Sequence, residues 1–185
     1  SYFYIVEDDS LNVIDIKNNL GLYTLPTDGE LNIVAVPIEF SDLNSKWDDT
    51  KLNELDAVLN SDNLSYFESL SSYYNKSSYG NLSLNIDIAD VLIPSFSSSV
   101  YLSKADDYAG ETFYLIKEIY TSITINGTKL SSLISNYDYD KDNKIDGIYF
   151  IINEFDMSKV NVSRFWAYTY WYIDTNCGYF APNIP

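Results

Sequence analysis

Three apolar runs along the chain predict the strands of a sheet. Residues 31–36 are almost continuously apolar, which is typical of a strand buried on both faces, and we expect this central strand to end near Pro37. Residues 82–88 alternate between apolar and polar, as in a strand with one wet face near a sheet edge. Residues 148–152 form a second continuous run and are predicted to be a buried strand.

Apolar residues recur at intervals of three and four between these runs, which predicts helices. The first predicted helix has its capping residue among positions 48–50, and its apolar positions are Leu52, Leu55, Val58 and Leu59. The second is predicted to begin at Ser61 or Asp62, and its apolar face carries Leu64, Phe67, Leu70 and Tyr74.

The longest helical stripe runs from Tyr108 to Ile123, and Asn126-Gly127 is predicted to close it. A short helix is expected from Lys129 to Ser135, and residues 93–100 are predicted to be a loop. The order strand, helices, strand, helix, strand predicts an α/β (α+β) fold in which helices pack on a mixed sheet.

The chain has 185 residues and is 46% hydrophobic, which is sufficient for the core of one domain. We divide it into a lead-in segment or hairpin, residues 1–30, and a single domain, residues 31–185. The formal charge of −16 repels phosphate backbones, so we expect no nucleic-acid partner. No apolar run approaches the ~20 residues that span a bilayer, so no membrane span is predicted.

The chain contains no histidine and a single cysteine, Cys177. Zinc sites of the common types need imidazoles or thiolates, and serine or cysteine nucleophiles usually need an imidazole base. We therefore assign no catalytic residue and no zinc ligand to this chain. The acidic pairs Glu39 with Asp42 and Asp87 with Asp90 would suit acid–base catalysis of glycoside hydrolysis, but solvated faces are the more common arrangement.

Alternating carboxylates precede the last predicted strand. Calcium prefers six to eight oxygen ligands, and a tight loop supplies them from positions 1, 3, 5 and 9 through side chains and from position 7 through a carbonyl. These positions are occupied by Asp138, Asp140, Asp142, Asp146 and the Lys144 carbonyl. The spacing predicts a structural calcium site, and the alternative is a solvated acidic turn.

Two positions of this loop depart from an EF-hand. Position 6 is Asn143 where an EF-hand has glycine, and position 12 is Tyr149 where it has a bidentate glutamate. Asparagine tolerates the left-handed backbone that position 6 requires, whereas tyrosine supplies no carboxylate. Further calcium ligands are therefore expected from water or from elsewhere in the fold.

Three collinear segments carry a resemblance to one known family. They are residues 31–42, Leu-Asn-Ile-Val-Ala-Val-Pro-Ile-Glu-Phe-Ser-Asp; Tyr66-Phe67 with residues 78–84, Ser-Tyr-Gly-Asn-Leu-Ser-Leu; and the aspartate loop with the strand after it, residues 138–150. Together they resemble the immune inhibitor A family of secreted bacterial zinc metallopeptidases. The first segment is similar to that family's opening strand, which ends in a Pro-x-x-Phe-x-Asp turn, and the second to its helix, Ser-Tyr-Gly junction and next strand. The third is similar to its aspartate loop before a strand, with Asn143 in the first glycine position.

The resemblance implies a zincin-like fold, in which a twisted mixed sheet and helices form the upper half of a protease cleft. The family's H-E-x-x-H helix, which supplies zinc ligands and a glutamate base, normally comes later, so we expect the chain to be the amino-terminal part of that domain. The resemblance further implies a protein or peptide substrate for the full-length protein, zinc only in that longer protein, and a secreted or cell-surface bacterial location.

Two alternatives to a peptidase fragment follow from the same residues. One is a complete, non-enzymatic, calcium-stabilised extracellular binding module. The other is an adhesive or carbohydrate-binding domain that uses an aromatic surface. The aromatic residues at 165–172 would serve a peptide-binding cleft, although their alternation is also typical of a strand packed on both faces.

Overall fold

A computed structural model of the protein describes residues 26–44, 46–62, 67–103, 119–139, 141, 143 and 145–152. Its strands are β1 (Gly29–Ile38), β2 (Leu82–Ile88), β3 (Thr124–Ile125), β4 (Thr128–Lys129) and β5 (Ile148–Ile152). Its α-helices are α1 (Asp49–Asn60), α2 (Leu70–Ser77) and α3 (Ser98–Ser103). The described residues also include three turns of 3₁₀-helix, at Tyr120–Ser122, Leu130–Ser132 and Ile134–Asn136.

The main sheet has the strand order β2-β1-β5, and both pairings are parallel. Leu31 lies opposite Leu84 of β2, and Val34 lies opposite Ile148 of β5. A separate two-stranded antiparallel sheet joins β3 to β4. The protein is therefore an α/β protein, as predicted, and its three main strands coincide with the three apolar runs.

The central strand β1 is buried on both faces because its residues alternate between two apolar clusters. Leu31, Ile33 and Ala35 pack with β2 and with residues of α1 and α2 on one face. Val34, Val36 and Ile38 pack on the other face, where a second cluster is formed by residues from α3, the 3₁₀ turns and the small sheet. The prediction of a doubly buried central strand is confirmed, and β1 runs through Pro37 to Ile38.

Strand β2 lies at one end of the described sheet, and side chains from the helices bind its outer backbone edge. Asn60 accepts from the Ile86 N–H and donates to the Ile86 carbonyl, at 3.2 and 2.9 Å. Ser71 donates to the Leu84 carbonyl at 2.9 Å, and Asn75 donates to the Leu82 carbonyl at 3.1 Å. These bonds replace the neighbouring strand, so polar groups that would invite edge-to-edge pairing are satisfied within the molecule.

The first predicted helix is confirmed as α1, and the Asp48 side chain caps it by accepting from the Lys51 N–H. The start predicted for the second helix is wrong. Helix α2 begins at Leu70, because the buried Ser69 hydroxyl accepts from the Ser72 N–H and so fixes the first turn there. Phe67 consequently lies before the helix, where its side chain is exposed.

Three further predictions are corrected by the structure. Asn126-Gly127 does not close a helix but forms the two-residue turn between β3 and β4, with φ values of +50° and +74° that match a type I′ hairpin turn. The loop predicted at 93–100 ends early, since α3 begins at Ser98. The short helix expected at 129–135 is present as two 3₁₀ turns.

Several predictions fall outside the described residues. They concern most of the lead-in segment, the greater part of the helical stripe before Ile119, and the aromatic residues at 165–172. The boundary between residues 30 and 31 remains a prediction, although β1 itself starts at Gly29. Within the described ranges, no helix is both long and apolar enough to cross a membrane.

Candidate metal centre

The aspartate-rich loop lies between the last 3₁₀ turn, which ends at Asn136, and the start of β5 at Ile148. Of the five predicted calcium ligands, the structure describes Asp138 and Asp146. Asp140, Asp142 and Lys144 lie outside the described residues, so the arrangement of those three ligands stays a prediction.

Hydrogen bonds within the loop bring its two ends together. The Asp138 carboxylate accepts from the Asn143 N–H at 2.9 Å, and the Asp146 carboxylate accepts from the Tyr139 N–H. The Asp146 N–H in turn donates to the Tyr137 carbonyl at 3.0 Å. The first and last predicted ligands are thereby held at the neck of one closed loop.

Two of the loop residues that the structure describes have left-handed backbone. Asn143 has φ +65°, which is the conformation expected at position 6, where an EF-hand has glycine. Asparagine adopts this region more readily than most residues, which explains how the loop manages without glycine there. Lys141 also lies in this region, with φ +64°, which the sequence pattern did not indicate.

Contacts on both sides of the loop fix it to the main sheet. The Tyr137 hydroxyl donates to Asp87 of β2 at 2.7 Å, and Asn32 of β1 donates to the Asn136 carbonyl at 2.8 Å. Beyond the loop, the Val34 N–H of β1 donates to the Gly147 carbonyl at 3.3 Å. The position of the loop is therefore set by β1 and β2 as well as by the strand that follows it.

Tyr137 is the main anchor of the loop, and its side chain is 3% exposed. Burial, the hydrogen bond to Asp87 and the negative charge of that carboxylate all raise the pKa of Tyr137 above its ordinary value. A tyrosine hydroxyl is already protonated at neutral pH, and the raised pKa of Tyr137 keeps it able to donate in more alkaline solution as well. Sequence reasoning missed this residue, because its partner on β2 is far away in the chain.

The carboxylates considered as acid–base pairs each have separate structural partners. Glu39 accepts from the Trp47 N–H at 2.9 Å and lies 3.1 Å from the Lys46 ammonium. Asp42 accepts from the N–H and the hydroxyl of Ser98, both at 2.8 Å. Glu39 therefore binds the segment before α1, whereas Asp42 binds the first residue of α3.

The same holds for Asp87 and Asp90. Asp87 accepts from Tyr137, whereas Asp90 accepts from the Thr124 hydroxyl and the Gly127 N–H of the β3–β4 hairpin. Those two bonds lower the pKa of Asp90 despite the opposing effect of burial, the Thr124 hydroxyl having the larger influence. Each carboxylate is thus explained as a hydrogen-bond acceptor for a nearby turn.

The described part of the loop contains oxygen donors of the kind that calcium prefers. It includes only two of the four loop carboxylates, Asp138 and Asp146. Among the aspartate and glutamate residues that the structure describes, no group of three or more is arranged to hold a metal ion. Two carboxylates are too few for a calcium ion, which needs six to eight oxygens, so a complete site requires Asp140, Asp142 and the Lys144 carbonyl as well. The structure shows a loop whose two ends are held together by hydrogen bonds.

Comparison with known proteins gave no match at any level: no family model, no curated protein and no solved structure resembles this chain significantly.

Proposed function

We propose that this chain is the amino-terminal part of a zincin-like secreted metallopeptidase domain and that its 138–146 loop binds a structural calcium ion. The supporting observation is spatial. The three segments that resemble the immune inhibitor A family, which are far apart in the sequence, lead into or form β1, β2 and β5, the three neighbouring strands of one parallel sheet.

The junctions between these segments and their strands support the same proposal. The Ser78-Tyr79-Gly80 junction connects α2 directly to β2, and the aspartate loop connects directly to β5. The Pro-x-x-Phe-x-Asp segment begins within β1, at Pro37, and its Asp42 accepts hydrogen bonds from Ser98 at the start of α3. Each segment therefore includes a turn or loop that directly adjoins one strand of the main sheet.

Zinc chemistry is not assigned to this chain, because its residues do not fit a zinc centre. With no histidine and only Cys177, it lacks the imidazole and thiolate ligands of the common sites. On this proposal the chain supplies the sheet of the cleft's upper half, and the zinc ligands come from an H-E-x-x-H helix. An H-E-x-x-H motif in the coding sequence after residue 185 is the expected observation, and a stop codon there would favour a non-enzymatic calcium-stabilised module.

The proposed role of calcium is structural: the bound ion stabilises the folded state. The loop concentrates four carboxylates whose mutual repulsion a divalent cation would offset, and its neck is already fixed by Tyr137 and Asp146. A ligand that binds only the folded state stabilises it by about 2.7 kcal/mol at a concentration of 100 times its Kd. For a domain of this size that corresponds to a rise in Tm of roughly 5–10 °C.

The test compares thermal unfolding in EDTA with unfolding in excess calcium, together with calcium titration calorimetry. The variant Asp140→Asn with Asp142→Asn should lose most of the calcium-dependent rise in Tm. The control variant, Asp49→Asn with Glu54→Gln, makes the same charge change on exposed positions of α1 and should retain that rise. No binding heat and an equal Tm in EDTA and calcium would contradict the calcium proposal.

A further inference from the structure

The turn of the β3–β4 hairpin carries a chemically labile pair of residues. Asn126-Gly127 is the one Asn-Gly dipeptide in the sequence. An asparagine that precedes glycine loses its side-chain amide most readily, because glycine has no side chain to hinder attack by its own backbone nitrogen. Both residues are exposed, and a Cβ at residue 127 would meet open space. The turn therefore gives water full access to the reacting atoms.

The reaction at such a pair needs only water. The Gly127 backbone nitrogen loses its proton and forms a bond to the side-chain carbon Cγ of Asn126. The Cγ–Nδ2 bond breaks, and the nitrogen leaves as ammonia after taking up a proton. The product is a cyclic succinimide, and water opens it at either carbonyl to leave aspartate or isoaspartate at position 126. No oxidant or reductant takes part.

In the folded protein, the carboxylate of Asp90 binds the nitrogen that has to react. The Gly127 N–H donates to the Asp90 carboxylate at 2.9 Å. The Asn126 N–H and the Thr124 hydroxyl donate to the same carboxylate. The Asp90 N–H in turn donates to the Thr124 carbonyl at 2.8 Å. One residue outside the hairpin therefore binds both the turn and the strand before it.

These bonds oppose the reaction in two ways. The Gly127 N–H would have to lose its proton beside a negative carboxylate, which raises the energy of the amide anion. The attack also requires the peptide between the two turn residues to rotate, whereas their φ values of +50° and +74° are those of an intact type I′ turn. The reaction therefore proceeds mainly from an opened hairpin. Because β3 and β4 share only two residue pairs, this opening is expected to be local.

We propose that Asn126 is a deamidation site of this protein and that Asp90 suppresses the reaction in the folded state. Isoaspartate adds a methylene group to the main chain, which a two-residue turn cannot accommodate without losing the pairing of its strands. Aspartate instead places a second negative charge beside Asp90. Either product loosens the hairpin, whose Ile125 belongs to the core on one face of the main sheet. This site requires neither the calcium proposal nor the peptidase proposal.

The experiment incubates the protein in mildly alkaline buffer, with and without a denaturing concentration of urea, and follows position 126 by peptide mapping with mass spectrometry. In urea, Asn126 should deamidate faster than the other asparagines of the chain. In the folded protein its rate should be lower than in urea. A folded-state rate equal to the rate in urea would overturn the proposal, and so would faster reaction of another asparagine in urea.

Variants of Asp90 test its part in the suppression. Asp90→Ala should raise the folded-state rate about three- to tenfold, the effect of losing one exposed hydrogen bond to a charged group. Asp90→Asn keeps an oxygen acceptor and removes the charge, so its increase should be smaller. The control is Asn60→Ala, which removes hydrogen bonds on the other side of β2 and should leave the rate at position 126 unchanged. Unchanged rates in both Asp90 variants, or equal acceleration by Asn60→Ala and Asp90→Ala, would overturn the role of Asp90.

Discussion

The hydroxyl of Tyr137 donates a 2.7 Å hydrogen bond to the carboxylate of Asp87, and this bond joins the residue before the aspartate loop to β2. Tyr137 also holds the end of the loop, because its carbonyl accepts from the Asp146 N–H. One residue therefore connects the loop ends to a strand at the edge of the described sheet.

Replacing Tyr137 with phenylalanine keeps the buried ring and removes the hydroxyl. Because one bond to a charged but exposed acceptor is lost, we expect the free energy of unfolding to fall by about 1 kcal/mol. On the calcium proposal, the rise in Tm on adding calcium should also shrink, since the neck of the loop loses its tie to β2. Denaturant unfolding with and without calcium measures both effects, and an unchanged unfolding curve would show that the bond contributes nothing.

Asn60 protects the edge of β2, so its replacement by alanine should have two effects. The Ile86 N–H and carbonyl lose both side-chain partners, which we expect to lower the free energy of unfolding by about 1–3 kcal/mol. The exposed edge should also promote association between molecules. Light scattering of Asn60→Ala against Asn53→Ala, an exposed position on the same helix, is the measurement; equal scattering would argue against edge protection.

Asp42 stabilises the start of α3, and this contribution should depend on pH. Burial raises the pKa of Asp42, but the hydrogen bonds from Ser98 and Ser99 outweigh it, so the net pKa is below the ordinary value of 3.8. A lowered folded-state pKa means that the contribution is present above about pH 4 and is lost as the pH falls through the lower, folded-state pKa.

Asp42→Ala should therefore cost about 1–2 kcal/mol near neutral pH and less in acid, because the buried Ser98 hydroxyl loses its acceptor. Urea unfolding of both proteins at neutral pH and near pH 3 measures the difference. A cost that is equal at the two pH values would contradict a role for the ionised carboxylate.

Gly29 and Gly127 provide a matched pair for backbone strain. Both have positive φ, +91° and +74°, but a side chain at residue 127 would meet open space, whereas one at residue 29 would meet the Tyr139 hydroxyl at 3.3 Å. We expect Gly127→Ala to cost about 1–2 kcal/mol from backbone strain alone, and Gly29→Ala to cost more because Tyr139 must move. Thermal unfolding of the two variants ranks them, and a larger loss for Gly127→Ala would refute the steric argument.

The strands were predictable from the sequence because their signal is local. Residues 31–36 are apolar at consecutive positions and residues 82–88 alternate, so each run carries its own burial pattern. Helix α1 was predictable for the same reason, since Asp48 and the apolar spacing lie within one segment. These elements need no information about distant partners.

Sequence reasoning missed other elements for two reasons. Some local sequences fit more than one structure, and some elements are positioned by residues that lie far away in the chain. Asn-Gly ends helices and also makes hairpin turns, and only the pairing of β3 with β4 decides between the two at residues 126–127. Helix α3 begins where it does because Asp42 binds Ser98, 56 residues later. The loop spacing identified candidate ligands, whereas its anchoring by Tyr137 depends on Asp87, 50 residues earlier.

The pairing of Val34 with Ile148 has a consequence for how the molecule forms. Strand β1 cannot pair with β5 until β5, which lies more than a hundred residues later in the sequence, has been synthesised. Contacts so distant in sequence slow the folding reaction, since the entropy of closing the intervening loop is lost before the pairing is gained. During translation one edge of β1 therefore stays without its partner strand β5 until that strand has been made, and unpaired strand edges of this kind are prone to aggregation.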